Sequence, residues 1–184
     1  SDKDETAVCN LASIGLPMCI TNVTSDGKPI FDYDKLYKIT QIVTYNLNRV
    51  IDVTFYPTEK CKRSNLRHRP IGIGVQGLAD VFMMMDVAYH SEEAKEINRL
   101  IFETIYFAAL EKSCEMARET TPYESFYGSP ASEGILQFDL WKQAPHTTRY
   151  PWEKLKQSIK KFGLRNSLLV APMPTASTSQ IFGF

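Results

Sequence analysis

An α/β fold with long helical connections is predicted from three observations. Apolar runs of strand length stand near both ends, around 8–11 and at 168–171. Between them apolar residues recur every three or four positions, the period of amphipathic helices. The order of strand, several helices, strand and renewed helix start is that of an α/β chain with long excursions.

The first run, AVCNLASIGLP at 7–17, reads as a buried strand through Val8 to Leu11 or beyond, closed by Gly15 and Pro17, with Cys9 inside it. Asn, Thr, Ser, Asp and Gly residues at 22–27 predict a surface turn, with Pro29 a further breaker. Asp32 is a cap for a helix with the stripe Leu36, Ile39, Val43, Leu47 and Val50, widened by Ile42 and Ile51. Tyr37, Lys38, Gln41, Asn48 and Arg49 fall on its wetter side. Residues 58–70 are polar and basic, and read as a solvated or internally paired loop.

Gly72, Gly74 and Gly77 spell G-x-G-x-x-G, but a basic loop precedes them and no second strand follows, so the dinucleotide fingerprint is not met. They read as close-packing positions in a helix continuing through Leu78 to Met85, with Met83, Met84 and Met85 as adaptable core filling. Ser91, Glu92 and Glu93 open the clearest helix, about 27 residues and ~40 Å long. Thr121 and Pro122 end it, a Gly/Pro/Ser loop covers 123–134, and 135–141 is a short ordered piece. Pro151 starts a helix with stripe Trp152, Leu155, Ile159 and Phe162, which Gly163 stops.

After the apolar run at 168–171, Pro172 and Pro174 end regular pairing, and Thr175, Ser177, Thr178 and Ser179 precede a possible helix at Gln180. A strand, a rigid turn and a hydroxyl-rich helix start gather backbone N–H groups and hydroxyls at one point, which suits an anion such as phosphate. An ordinary Ser/Thr cap after a loop would use the same residues.

Composition narrows the class. The 184 residues suffice for one domain with its own core, and 43% hydrophobic with 23% charged residues is ordinary for a globular protein. Lys+Arg and Asp+Glu balance at 21 each, so charge points to neither nucleic acid nor an anionic membrane. The basic run from Lys60 to Arg69 lacks the interleaved aromatics of a nucleic-acid binder. No run is long enough to span a membrane and no signal peptide opens the chain. Cys9, Cys19, Cys61 and Cys114 form no C-x-x-C pair, so neither zinc nor a disulfide framework is expected. A reduced, cytoplasmic protein with room for one redox cysteine is the economical expectation. The opening SDKDE lacks Met and the end follows directly on a helix start, so both ends are expected to lie inside a longer chain.

Several motifs taken together resemble one family. AVCNLAS at 7–13, RHRPIGIGVQGLAD at 67–80, FETIY at 102–106, GILQ at 134–137, RNSLL at 165–169 and APMPTAST at 171–178 resemble, in the same order, the eukaryotic-type large (alpha, R1) subunit of class I ribonucleotide reductase. The resemblance implies part of a ten-stranded α/β barrel, with 1–184 lying within a single catalytic barrel domain. It implies reduction of ribonucleoside diphosphates to 2′-deoxyribonucleoside diphosphates: a thiyl radical abstracts the 3′ hydrogen and a cysteine pair supplies electrons as it becomes a disulfide. Cys9 matches one member of that pair, its partner lying upstream. Pro174, Thr175, Ala176, Ser177 and Thr178 match the loop that holds the substrate phosphates. No functional role carries over to Cys19, Cys61 or Cys114.

The resemblance also implies what these residues lack. The Asn-x-Cys-x-Glu stretch with the radical-forming cysteine would end shortly before Ser1, and the radical-relay tyrosines and shuttle cysteines would follow Phe184. No metal or other cofactor is expected in this segment. A small (beta) subunit would hold the metal/radical cofactor, ATP or deoxynucleotide effectors would bind elsewhere, and the large subunit would form a homodimer re-reduced by a thioredoxin- or glutaredoxin-type protein. Gly183-Phe184 departs from the Gly-Asn of the family pattern. The same residues leave one further reading, a non-catalytic phosphate- or nucleotide-binding module built on the 174–178 turn, for which Cys9 would be dispensable.

Overall fold

A computed structural model describes residues 3–22 and 27–184. The elements run β1 (Leu11–Gly15), a 3-10 turn (Leu16–Cys19), β2 (Ile20–Asn22), β3 (Pro29–Phe31), α1 (Tyr33–Val53), α2 (Glu59–His68), β4 (Gly72–Gln76), α3 (Leu78–Met84), α4 (Glu92–Glu119), a 3-10 turn (Pro130–Glu133), α5 (Gln137–Leu140), α6 (Trp152–Phe162) and α7 (Thr178–Phe182). The fold is mixed α/β. The described residues form no closed barrel.

Three extended segments lie side by side. β1 and β4 pair in parallel from Leu11 opposite Gly72 to Gly15 opposite Gln76. On the other edge of β4, Val170 bridges Ile73 in parallel. Ile71 N–H donates to Leu168 O at 3.0 Å, Ile73 N–H to Leu169 O at 2.8 Å and Ala171 N–H to Ile73 O at 3.1 Å. The segment predicted at 168–171 is therefore present as a short third strand. β1 begins three residues later than predicted, so Cys9 precedes it, and Gly15 lies in the strand rather than closing it. β2 and β3 pair antiparallel, a hairpin too short to read from the sequence; the turn predicted at 22–27 lies mostly outside the described residues.

Gly72 and Gly74 are in a strand, not in the predicted helix. A Cβ on Gly72 would lie 2.6 Å from Leu11 Cδ2 and 3.0 Å from Ala171 Cβ, and one on Gly74 would lie 3.1 Å from Ala171 O. The missing side chains let β4 fit between its two neighbours. Gly77, at φ 76°, then turns the chain through left-handed backbone into α3. Met83 and Met84 are 70% and 47% exposed, so they do not fill the core as expected.

α1 carries the predicted cap, Asp32 Oδ1 accepting from Lys35 N–H at 2.8 Å, but its buried face is rotated from the predicted stripe. Ile42 and Val50 are exposed, while Thr40, Thr44 and Asn48 are buried. The threonine hydroxyls donate to carbonyls one turn earlier, at 2.8 Å each, and so bury without an external partner. The basic stretch forms α2 rather than a loop: Thr58 caps it, and Arg69, left-handed before Pro70, ends it. α4, at 28 residues, is about 42 Å long and packs against α1 and α6. Leu36, Ile51, Ile73, Ile101, Ile105 and Ile159 form the fully buried centre between these helices and the strands.

Candidate active site

The two faces of the parallel strands differ. Ile14 and Ile73 turn into the helical core. The alternate residues, Leu11, Ser13, Gly15, Gly72, Gly74 and Gln76, form a second face with three glycines. Met173 crosses it, since a Cβ on Gly74 would come within 2.6 Å of its sulfur. Phe184 closes its upper end, beside Gly15 and Gly77.

Cys9 stands just before this face. Gly72 N–H donates to Asn10 O at 2.9 Å, so the ladder reaches back past the first strand residue. Asn10 is buried while Cys9 and Leu11 are exposed, which continues the alternation and puts Cys9 on the glycine side. Of the four cysteines it alone is exposed. Burial pushes the Cys114 thiol up to about 11 and raises that of Cys19, so both are held as inert thiols. Cys61 Sγ accepts from Thr58 Oγ1 at 3.2 Å inside the α2 cap.

The residues Pro174, Thr175, Ala176, Ser177 and Thr178 form one turn at the far end of the third strand. Ser179 N–H donates to Thr175 O at 2.8 Å and closes it. Ser177 occupies the cap position of α7 without a side-chain cap bond, and it is exposed. Thr178 Oγ1 and Ser179 Oγ donate back within the turn, to Thr175 O and Ala176 O at 3.4 Å each, whereas the Ser177 side chain makes no cap bond. Because the segments run in parallel, Cys9 before β1 and the turn after the third strand lie at opposite ends of the three-segment sheet.

Two buried amide clusters, which the sequence reading missed, hold the strands that carry these residues. Asn10 Nδ2 donates to Asn65 Oδ1 at 2.7 Å and to Pro70 O at 2.9 Å, fixing the entry to β1. Asn166, fully buried, exchanges hydrogen bonds with Asn48 at 2.9 and 3.0 Å, donates to Arg69 O at 2.9 Å and accepts from Ser113 Oγ at 2.9 Å. The signal in the sequence was the four-residue spacing of Leu36, Thr40, Thr44 and Asn48, which marks one helix face.

The C-terminal half of the basic run is paired internally. Arg67 meets Glu5 at 2.7 Å and Glu124 at 3.1 Å, His68 Nε2 meets Glu5 at 2.8 Å, and Arg69, 3% exposed, meets Asp52 at 2.7 Å. Arg67, then His68, holds the Glu5 carboxyl down to about 2. These pairs pin the segment before Cys9 to α2 and take Arg67, His68 and Arg69 out of the exposed basic run. Among the described residues no three His, Cys, Asp or Glu side chains are grouped to hold a metal ion, and no helix is long and apolar enough to cross a membrane.

Comparison with known proteins gives a consistent result. The family model described as ribonucleotide reductase, barrel domain, matches residues 1–184. The chain is 57% identical over 183 residues to the ribonucleoside-diphosphate reductase large chain of Cryptosporidium parvum, covering 100% of this chain and 22% of that protein. It is 55% identical over 185 residues to large chain 2 of the same enzyme from Saccharomyces cerevisiae, covering 100% and 21%. It is 53% identical over 183 residues to the large subunit from Variola virus, covering 100% and 23%. The chain thus spans about a fifth of the length of the curated relatives it matches.

Proposed function

Because this chain belongs to the ribonucleotide reductase barrel-domain family, we propose that it supplies two parts of the active site of a ribonucleoside-diphosphate reductase: one thiol of the reducing pair, Cys9, and the phosphate-holding turn at 174–178. The surrounding fold is, in this reading, part of a ten-stranded α/β barrel. The observation that carries the reading is an exposed thiol before β1 together with an exposed Ser177 that makes no cap bond in the turn after the third strand.

The chemistry assigns a task to each. Thr175, Ala176, Ser177 and Thr178, in the turn opened by Pro174, hold the diphosphate through their backbone N–H groups and hydroxyls. A fixed diphosphate converts a bimolecular encounter into a positioned one. A thiyl radical abstracts the 3′ hydrogen, the 2′ hydroxyl leaves as water, and Cys9 with its partner thiol supplies two electrons and forms a disulfide. The partner thiol must approach to bonding distance and the disulfide must then be accessible to exchange, which the exposure of Cys9 permits.

The radical-forming cysteine and the partner thiol are assigned outside these 184 residues. The metal/radical cofactor is assigned to a small-subunit partner, nucleotide effectors to other regions of a dimeric large subunit, and re-reduction to a thioredoxin- or glutaredoxin-type protein in the cytoplasm. In the full-length enzyme Cys9→Ser is expected to abolish turnover sustained by a dithiol; repeated turnover at the wild-type rate would overturn the assignment. A non-catalytic phosphate-binding module built on the same turn would instead show ligand binding and function unaffected when Cys9 is blocked.

A further inference from the structure

The residues around Cys9, 5–10, belong to no helix or strand. Glu5 and Asn10 are nevertheless buried, at 7% and 8% exposure, while Thr6, Ala7 and Cys9 between them are exposed. A carboxylate and an amide are rarely buried unless each is bound, and here both are.

One helix end binds the two of them. Glu5 meets Arg67 Nη1 at 2.7 Å and His68 Nε2 at 2.8 Å. Asn10 Nδ2 donates to Asn65 Oδ1 at 2.7 Å and to Pro70 O at 2.9 Å. Asn65, Arg67 and His68 stand in the last turn of α2. They are themselves held from behind: His68 Nδ1 pairs with Ser125 Oγ at 2.6 Å, Arg67 with Glu124 at 3.1 Å, and Asn65 Nδ2 donates to Tyr56 Oη at 2.6 Å. Between the two anchors Thr6 N–H adds a bond to Lys60 O at 3.3 Å.

A disulfide is exacting about place. Its two Cα atoms must come within about 4.4–6.8 Å of each other. A thiol held in that geometry meets its partner at a far higher effective concentration than one on a free segment. We propose that Glu5 and Asn10 are positioning residues of the reducing thiol: anchored to α2 on either side of Cys9, they hold its sulfur where the disulfide forms. The inference rests on the reading of Cys9 as a reducing thiol and extends it to the groups that aim it. In the step they serve, each of the two thiols gives up one proton and one electron, and a sulfur–sulfur bond forms.

The test is the equilibrium of that disulfide in the full-length large subunit, in mixtures of reduced and oxidised glutathione. Oxidised glutathione takes the two electrons and two protons and becomes two molecules of the reduced form; alkylation and mass spectrometry then measure the Cys9 disulfide. Glu5→Gln and Asn10→Ala are each expected to lower its equilibrium constant about tenfold, about 30 mV for a two-electron couple, and to leave cytidine diphosphate affinity unchanged. Asp139→Asn, which breaks the 2.8 Å pair with Lys156 far from Cys9 in sequence, is expected to shift neither quantity, which separates positioning from general loosening. Glu5→Gln keeps the shape of the side chain and carries the test alone if Asn10→Ala fails to fold. An unchanged or raised constant in either folded variant, an equal fall in Asp139→Asn, or an accompanying loss of cytidine diphosphate affinity would each overturn the proposal. A wild-type enzyme in which Cys9 forms no disulfide would overturn the reading of Cys9 itself, and the proposal with it.

Discussion

Place, more than residue type, separates the four thiols. Cys114 and Cys19 are buried and pushed toward the protonated form, whereas Cys9 stands in solvent beside a polar clasp. That clasp has a pH signature. The Glu5 carboxyl is depressed to about 2, from a usual value near 4.5, chiefly by Arg67 and then His68. A depressed acid adds stability above its unfolded value, and loses it as pH falls through the folded one. The melting-temperature gap between wild type and Glu5→Gln should therefore be full near neutrality and close between about pH 4.5 and 2. A gap independent of pH would show that the Glu5 charge does not hold the segment. Cys9 and the 174–178 turn stood out through the motifs around them, since a lone cysteine or a Ser/Thr-rich helix start carries no role by itself. The amides did not: Asn48 and Asn166 pair across 118 positions, and no local pattern announces a partner so distant.

Elements that depend on their own caps were legible, and those that depend on neighbours were not. Asp32, Ser91 and Gly163 mark ends of α1, α4 and α6 as predicted. The 72–77 glycines gave the wrong element because helix and strand both use glycine for close approach, and only the presence of β1 and the third strand decides between them. Gly74 lies at that three-way contact. Gly74→Ala places a carbon within 3.1 Å of the Ala171 carbonyl and presses Met173 away from the face. It should destabilise the protein by about 1–2 kcal/mol and weaken nucleotide diphosphate binding several-fold through the displaced turn. Wild-type affinity and stability together would mean that β4 does not position the turn.

At the scale of the molecule, apolar surface remains open. A groove of about 850 Å³ runs beside the third strand, with Tyr106, Phe138, Trp141 and Leu168 among its walls. Trp141, Leu168, Ile181 and Phe182 are each at least 60% exposed. Apolar surface of this extent is typical of an interaction face. The 184-residue chain on its own should bind a hydrophobic dye and self-associate, as light scattering would show; a monodisperse monomer without dye binding would contradict this.

Whether Cys9 is a reducing thiol can be read directly from its oxidation state. Full-length enzyme, fully reduced, is given ribonucleoside diphosphate with its radical-bearing partner and no external reductant, then alkylated and mapped by mass spectrometry. Cys9 should be recovered in a disulfide formed in step with deoxynucleotide product. Product formed while Cys9 is recovered alkylated as a free thiol would contradict the account.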